Sequence, residues 1–269
     1  MDSYTYNVPV KLLPDYRGRK IVVRGLDPDE IVAALPEGGR EGLQYVQLLS
    51  PNIELEKLDA FAYWGEEVPL DILVKAPVRE FPLLYNFSKL LDKHPIRVSI
   101  AVVPGFIKAV KLAAALNFAV KLVVSQPDDA LVQEMSEVLD LYLHRSSISQ
   151  PIDYFHSIFL SSYRQEPTSL WMLQEDDPAN YRFVSDEGEE SASSRFDGRD
   201  PVSSTPSNGS SECATCSFVT NCGGYFKWPN PDYNCSGVKT IFATIDAAAI
   251  ELRADVASMS AFHGGSQPK

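Results

Sequence analysis

The sequence predicts an α/β protein: a partial (β/α) barrel or an open parallel sheet, followed by a small, irregular, cysteine-rich domain. Short apolar runs alternate with amphipathic helical stretches through the first 143 residues, which is the pattern of βα units with parallel strands. All four cysteines of the 269-residue chain lie within residues 213–235. The Ser-, Gly- and acid-rich stretch 185–212 lies before them and indicates a flexible linker.

The first part of the chain carries the strand and helix signals of these units. Residues 1–18 are expected to be irregular or to form an edge strand. Residues 20–25 form an apolar run that ends at glycine, and Asp27 followed by Pro28 marks a helix start. Further strands are predicted at 43–49 and 60–64. Three βα units follow, with strands at 70–74, 96–103 and 119–124 and helices at 83–91, 106–116 and 127–143.

The chain changes in character after residue 146. Helices are predicted at 151–160, 169–174 and 247–257, and a short strand at 181–184. The expected organisation is an α/β partial barrel over 1–150, connecting helices over 151–184, the flexible acidic linker over 185–212, the cysteine-rich domain over 213–257 and a disordered tail over 258–269.

The composition excludes two classes of partner. The formal net charge is −12, whereas binding to nucleic acid or to anionic lipid requires clustered lysine and arginine. The first residues lack the basic and apolar regions of a signal peptide, and no apolar run approaches the roughly 18 residues of a membrane span. We therefore expect a cytoplasmic protein with no nucleic-acid and no membrane partner.

No catalytic residue can be assigned from the usual motifs. The chain contains neither G-x-S-x-G nor a phosphate-binding Walker sequence. None of the four histidines has a partner at metal-ligand spacing. His94 and His144 are expected at the surface, and His156 is expected to pack within an aromatic helix face.

The cysteine spacing indicates a metal site. Four cysteines crowded into one segment of a cytoplasmic protein favour metal binding over disulfides. The spacing is C-x2-C, then five and twelve intervening residues, and a closed zinc site more often uses two short pairs. The pattern favours an iron–sulfur cluster and leaves zinc, and free or disulfide-linked cysteine, as alternatives. The candidate ligands are Cys213, Cys216, Cys222 and Cys235.

Residues around these cysteines suit a cluster. Gly223 and Gly224 follow Cys222 directly, so the backbone can approach closely and direct its N–H groups at sulfur. Two lysines are placed to meet the negative charge of a cluster or of a partner. An apolar collar is expected from the aromatic residues Tyr225, Phe226, Trp228 and Tyr233, and the two lysines are Lys227 and Lys239.

The stretch CATCSFVTNCGGYF resembles the SPASM domain, the cluster-binding extension of radical-SAM enzymes that modify peptides. The resemblance covers about residues 169–252. It implies that the four cysteines together hold one auxiliary [4Fe-4S] cluster. The family's second cluster needs a cysteine where this chain has Phe226, and an upstream pair where residues 183–212 contain no cysteine. The ligands of one cluster are therefore all present and those of the other all absent.

The resemblance also extends, by the order of elements, to the radical-SAM partial barrel over residues 69–143. Radical-SAM enzymes bind their catalytic cluster through C-x3-C-x2-C, and residues 1–212 contain no cysteine. The family's Gly-Gly-Glu motif for SAM is absent as well. SAM is therefore not expected as a cofactor, and the chain is not expected to be catalytic alone.

These features imply an accessory subunit. The expected partner is an active radical-SAM enzyme that matures ribosomally made peptides, with a precursor peptide as a further partner. The chain would bind substrate or relay electrons through its cluster, and a truncated barrel with an exposed sheet edge would favour pairing. The alternatives are a stand-alone iron–sulfur redox protein or enzyme and a zinc-stabilised binding module.

Overall fold

A computed structural model describes residues 4–36, 39–65, 67–146, 148–193, 195 and 211–263, of which residues 211 and 260–263 are described by their backbone alone. It shows an α/β protein with an eight-stranded sheet in the order β6-β5-β4-β3-β2-β1-β7-β8. Strands β1 to β7 are parallel, and β8 is antiparallel to β7. The strands are β1 Thr5–Pro9, β2 Lys20–Gly25, β3 Leu43–Leu48, β4 Leu70–Val74, β5 Ile96–Ala101, β6 Ala119–Val123, β7 Tyr181–Val184 and β8 Glu190–Ser191.

A helical segment follows each of the first six strands, so the chain steps across the sheet in sequence order. After β1 and β4 this segment is partly or wholly a 3-10 helix, at Val10–Tyr16 and Phe81–Leu90. The α-helices are α1 Pro28–Ala34, α2 Leu55–Ala62, α3 Pro77–Glu80, α4 Ile107–Ala115, α5 Asp129–His144, α6 Asp153–Arg164, α7 Leu170–Leu173, α8 Ser211–Ala214, α9 Val219–Cys222 and α10 Ser236–His263.

Local sequence explains where the covering helices begin. The Asp27 side chain accepts the backbone N–H of Asp29 at the start of α1, as the sequence predicts, with Pro28 in the first turn. Asp128 caps α5 in the same way by accepting the N–H of Leu131. Both caps satisfy backbone donors that a helix start leaves without a partner.

Two predicted elements in the first half are wrong. Residues 60–64 do not form a strand, because α2 covers Leu55–Ala62 and its Leu58 and Phe61 are fully buried on one face. Residues 5–9 are not an edge strand, because β1 lies between β2 and β7. The partner β7 lies more than 170 residues later in the chain, and local sequence carries no sign of that pairing.

The linker and tail also differ from expectation where the structure describes them. Residues 185–193 are not a free linker: β8 pairs with β7, and the Ser193 hydroxyl donates to Asp176 at 2.5 Å. Residues 196–210 of the predicted linker lie outside the described part. Helix α10 continues to residue 263, through the first half of the predicted disordered tail, while residues 264–269 lie outside the described part.

The two faces of the sheet differ in chemistry. Alternate residues on one face are apolar and buried against the helices, such as Val23, Ile72 and Val98. The opposite face carries Arg24, Asp71 and other polar side chains. The hydrophobic core continues from the sheet into the cysteine segment, because the buried residues of both belong to one contiguous cluster.

The edge of β6, one of the two edges of the sheet, is covered. The Val120 N–H donates to the Pro151 carbonyl at 3.0 Å. The amide of Gln174 then takes the place of a neighbouring strand, accepting the Val124 N–H at 3.2 Å and donating to the Leu122 carbonyl at 3.0 Å. These contacts satisfy backbone groups that an edge strand would otherwise present to another chain.

His94 lies in the core and not at the surface. It is 1% exposed. Its Nδ1 atom is 3.0 Å from the Val68 carbonyl oxygen, and its Nε2 atom is 3.0 Å from that of Phe61. The ring therefore connects the end of α2 to the loops before β4 and β5. Because both ring nitrogens have partners, the ring can be buried there. His156 packs against an aromatic side chain, as the sequence predicts. Its Nδ1 atom is 2.6 Å from the Tyr142 hydroxyl, and the two rings meet edge to face.

Among the described residues, we find no helix that combines the length and the apolar character needed to cross a lipid bilayer.

Replacement of Gln174 by alanine tests the role of its amide at the β6 edge. Gln174→Ala leaves the buried Val124 N–H and Leu122 C=O without partners, which costs about 2–4 kcal/mol of unfolding free energy. Urea unfolding measures the loss. The matched control is Gln133→Ala at an exposed position of α5, which should change stability by less than about 0.5 kcal/mol. Equal effects of the two variants would contradict this role.

Candidate functional site

Two short helices and a turn place the first three cysteines. Cys213 lies in α8, and the N–H of Cys216 donates to the Cys213 carbonyl at 3.2 Å, which closes the C-x2-C turn. Helix α9 begins at Val219 and ends with Cys222. The sequence therefore forms one compact turn between the pair and the third cysteine.

Two glycines turn the chain back over Cys222. Gly223 and Gly224 both have left-handed backbone conformations, with φ of 56° and 75°, which residues with a Cβ atom rarely adopt. The backbone N–H groups of Gly224, Tyr225 and Phe226 act to lower the pKa of Cys222, although burial outweighs them. These three N–H groups form a cradle that favours a negatively charged sulfur.

The fourth cysteine precedes the longest helix. Cys235 lies immediately before α10, and its carbonyl accepts the N–H of Lys239 at 2.9 Å as the helix begins. The N-terminal end of a helix carries partial positive charge, which favours a thiolate or another anionic group there.

The four cysteines line one cavity. The cavity is small, with about 20 Å³ of space accessible to the centre of a water molecule. Its apolar wall combines residues of the cysteine segment with residues of α10, and its polar wall holds two lysines and one glutamate. The apolar residues are Phe218, Val219, Phe226, Val238 and Phe242, and the polar ones are Glu212, Lys227 and Lys239.

The cations at the cavity are held in place by Glu212. Lys227 is 5% exposed, and its Nζ atom donates to Glu212 Oε2 at 2.5 Å and to the Tyr233 carbonyl at 2.6 Å. Lys239 Nζ donates to Glu212 Oε1 at 2.6 Å. These two hydrogen bonds lower the pKa of Glu212. The cavity therefore has net positive charge from these three side chains before any charge on sulfur is counted.

Burial makes two of the thiols poor nucleophiles. It raises the pKa of Cys222, and it raises the pKa of Cys235 to about 11. Both groups are therefore neutral thiols near pH 7. A metal bound at these residues would displace the two protons, because metal ligands are thiolates.

The four cysteines supply thiol donors at one place in the fold. No three Cys, His, Asp or Glu side chains of the described residues are grouped closely enough to hold one metal ion, although all four cysteines line one cavity. Thiol sulfur is the donor of zinc sites and of iron–sulfur clusters alike. The donor chemistry therefore fits either group.

The predicted aromatic collar is only partly present. Phe226 is fully buried and lines the cavity. Tyr225 points away to the sheet, and the Tyr233 hydroxyl donates to the Pro127 carbonyl at 2.6 Å. The sequence pattern did not identify Phe218 and Phe242, whose rings stack with centroids 5.3 Å apart. Phe242 lies in the first half of α10, whereas the sequence predicts a helix only from residue 247.

Tyr225 joins the cysteine segment to the sheet. Its hydroxyl donates to the Val124 carbonyl at 2.9 Å and lies 3.2 Å from Asp176 Oδ2. Its ring meets Trp171 edge to face at 4.9 Å, and Trp171 Nε1 donates to the Gly223 carbonyl at 2.9 Å. The chain around Cys222 therefore packs directly on the strand edge that Gln174 covers.

A second and larger cavity lies over the polar face of the sheet. It has about 640 Å³ of space accessible to the centre of a water molecule. We call it the sheet cavity. Its lining alternates along the strands, as a sheet face requires. The lining residues include Arg24, Tyr45, Gln47, Lys75, Ser99, Lys121, Glu175, Asp176, Arg182 and Phe183.

A charge network borders this cavity at Lys121 and Glu175. Glu175 contacts Lys121 Nζ at 2.8 Å and Arg97 Nη1 at 3.1 Å, and Arg97 Nε is 3.1 Å from Asp71 Oδ1. The Ser99 hydroxyl donates to the same Asp71 atom at 2.7 Å. Burial alone would raise the pKa of Glu175, but the two cations outweigh it and lower the pKa to about 2.

Comparison of the chain with protein-family models, curated proteins and solved structures finds no match to any of them.

Glu175→Gln tests the charge network. The folded-state pKa of Glu175 is about 2 against an ordinary 4.5, so its carboxylate stabilises the fold above pH 4.5 and this contribution disappears as the pH falls through 2. We expect the variant to lose about 3 kcal/mol of unfolding free energy at pH 7. Urea unfolding across pH 2–7 should show the difference from wild type narrowing only below pH 4.5. Glu137→Gln, exposed on α5, is the control, and a pH-independent difference for Glu175→Gln would refute the assignment.

Proposed function

We propose that this chain is an accessory iron–sulfur subunit that works with an active radical-SAM enzyme in the maturation of ribosomally made peptides. The observation that carries the proposal is the cavity lined by Cys213, Cys216, Cys222 and Cys235. Its thiols would hold one [4Fe-4S] cluster, which supplies one-electron chemistry when bound. The protein supplies the cradle of N–H donors and the two lysines.

The partial-barrel interpretation supports the family resemblance. Six consecutive parallel strands follow one another in chain order, each with a helical segment after it. The sequence indicated such units clearly only from residue 69. The strand that begins the series is β1. The loop and helix between β1 and β2 contain no cysteine, and neither do those between β2 and β3. This end of the sheet therefore lacks the ligands that a radical-SAM catalytic cluster needs.

The four-cysteine cavity and the absence of cysteine before residue 213 suggest different roles for this chain and its partner. The chain has a site suited to an auxiliary cluster and no thiols for a SAM-cleaving one. The partner enzyme would therefore generate the radical, and this chain would bind substrate or transfer electrons. The β6 edge does not explain the pairing, because Gln174 and Pro151 cover it. The open sheet cavity, with cations and acids on its lining, is the surface best suited to a polar substrate such as a precursor peptide.

Anaerobic purification tests the cluster. We expect a brown protein with about four iron and four sulfide per chain. Replacing any one of the four cysteines by alanine should remove most of the iron, while Ser217→Ala, at an exposed position between Cys216 and Phe218, should retain it. A colourless protein with one zinc per chain would overturn the proposal in favour of a zinc-stabilised module.

Reconstitution tests the partnership. The assay combines this chain with a radical-SAM enzyme and a short precursor peptide identified by reading the genes next to its own, and mass spectrometry follows the peptide. We expect modification to fall at least about tenfold without this chain or with its Cys222→Ala variant, because the auxiliary cluster is missing. Ser217→Ala should support full modification. Equal product with and without the chain, together with no complex on size-exclusion chromatography, would refute an accessory role.

A further inference from the structure

One buried cation on the lining of the sheet cavity has no acidic partner among the described residues. Arg24 is 6% exposed and lies near the carboxyl end of β2. Its Nη1 atom donates to the Asn7 backbone carbonyl at 2.7 Å and to the Asn7 side-chain oxygen at 2.8 Å, and its Nη2 atom donates to the Val184 carbonyl. All three acceptors are neutral, and no described carboxylate forms an ion pair with Arg24.

The acids on the inner lining of the cavity are already matched by other cations. Glu175 is 2.8 Å from Lys121, and Asp176 is 3.9 Å from Arg195. A buried charge is costly unless an opposite charge balances it. Arg24 therefore leaves one positive charge unbalanced among the buried groups that border the cavity.

The acid that acts on Arg24 lies at the rim. Asp186, in the loop between β7 and β8, lines the cavity, but its side chain is 66% exposed and it is 3.9 Å from Lys11. Burial lowers the pKa of Arg24, and Asp186 acts in the opposite direction. Because water and salt screen an exposed carboxylate, Asp186 leaves room for a more deeply bound anion.

A ligand can reach Arg24. The cavity has about 640 Å³ of space accessible to the centre of a water molecule. Arg24 Nε forms no hydrogen bond with a described residue, and it is not one of their enclosed atoms without a partner, so it remains accessible. The exposed Lys75, directly after β4, lines the same cavity. Both cations lie at the carboxyl ends of parallel strands, where α/β proteins bind ligands.

We propose that the sheet cavity binds a carboxylate of a peptide ligand, with Arg24 as the anchor and Lys75 at the rim. A carboxylate accepts charge-assisted hydrogen bonds from a guanidinium. Its single negative charge matches the one unbalanced positive charge, whereas a phosphate group would bring nearly two. The inference deepens the proposed role of this cavity, and it rests on the proposed function in taking a peptide as the ligand.

Isothermal titration calorimetry with tripeptides at millimolar concentration tests this preference. The probes are acetyl-Ala-Glu-Ala-amide, acetyl-Ala-Gln-Ala-amide and acetyl-Ala-Ala-Ala with a free C-terminal carboxylate. We expect at least one carboxylate peptide to bind about tenfold or more tightly than the neutral Gln peptide. Preference for the first identifies an acidic side chain as the ligand group, and preference for the third identifies a C-terminus. Equal binding of all three peptides, or binding of none, would overturn the proposal.

Substitutions separate recognition from support of the fold, because Arg24 also connects β2 to Asn7 and Val184. Arg24→Gln should weaken binding of the preferred peptide at least about tenfold. Asp186→Asn should strengthen it about two- to fivefold, because it removes a competing carboxylate. The matched control is Glu189→Gln, which makes the same change of charge in the same loop but away from the cavity lining, and its affinity should equal that of wild type.

Asp186→Asn decides the matter even where Arg24→Gln does not fold. If the affinity of Asp186→Asn equals that of Glu189→Gln, the cation of Arg24 serves the fold alone and the proposal is overturned. None of these titrations needs iron or a partner enzyme. A protein that prefers the carboxylate peptide but binds no iron would support this inference and remove the proposed accessory function. A protein that binds a cluster and shows no such preference would overturn this inference alone.

Discussion

The covered edge of β6 is the constraint on which the rest of the structure depends. The amide of Gln174 pairs with the backbone of Val124 and Leu122 as a neighbouring strand would, and the Tyr225 hydroxyl takes the Val124 carbonyl. One strand edge is therefore satisfied jointly by the connecting segment and by the cysteine segment. Since unpaired backbone groups are costly to bury, the two segments can dock on the sheet in few other ways.

This docking determines where the cysteine site lies. Trp171 and Tyr225 hold the turn that follows Cys222, while α10 brings Phe242 to the opposite wall of the cavity. The contiguous core means that the cysteine segment is packed as part of the sheet domain and not as an independent module. A metal centre in this cavity would therefore be coupled mechanically to the edge of the sheet.

The two cavities have complementary chemistry. The cysteine cavity combines buried thiols with the cations Lys227 and Lys239, which suits an anionic metal–sulfur group. The sheet cavity is larger, and Glu175 on its lining is held by Lys121 and Arg97. Asp176 lines the sheet cavity and also contacts Tyr225. Asp176 and Tyr225 thus connect the lining of the sheet cavity to the segment that follows Cys222.

The sequence by itself determined the α/β class, the exact bounds of β2, β4 and β7, and the grouping of the four cysteines. These features follow from helical periodicity, strand alternation, helix caps and motif spacing, which are local properties of the sequence. It did not show that β1 lies inside the sheet, that His94 is buried, or that Phe218 and Phe242 form a cavity wall. Those features depend on contacts between residues far apart in the chain, and only the tertiary structure decided them.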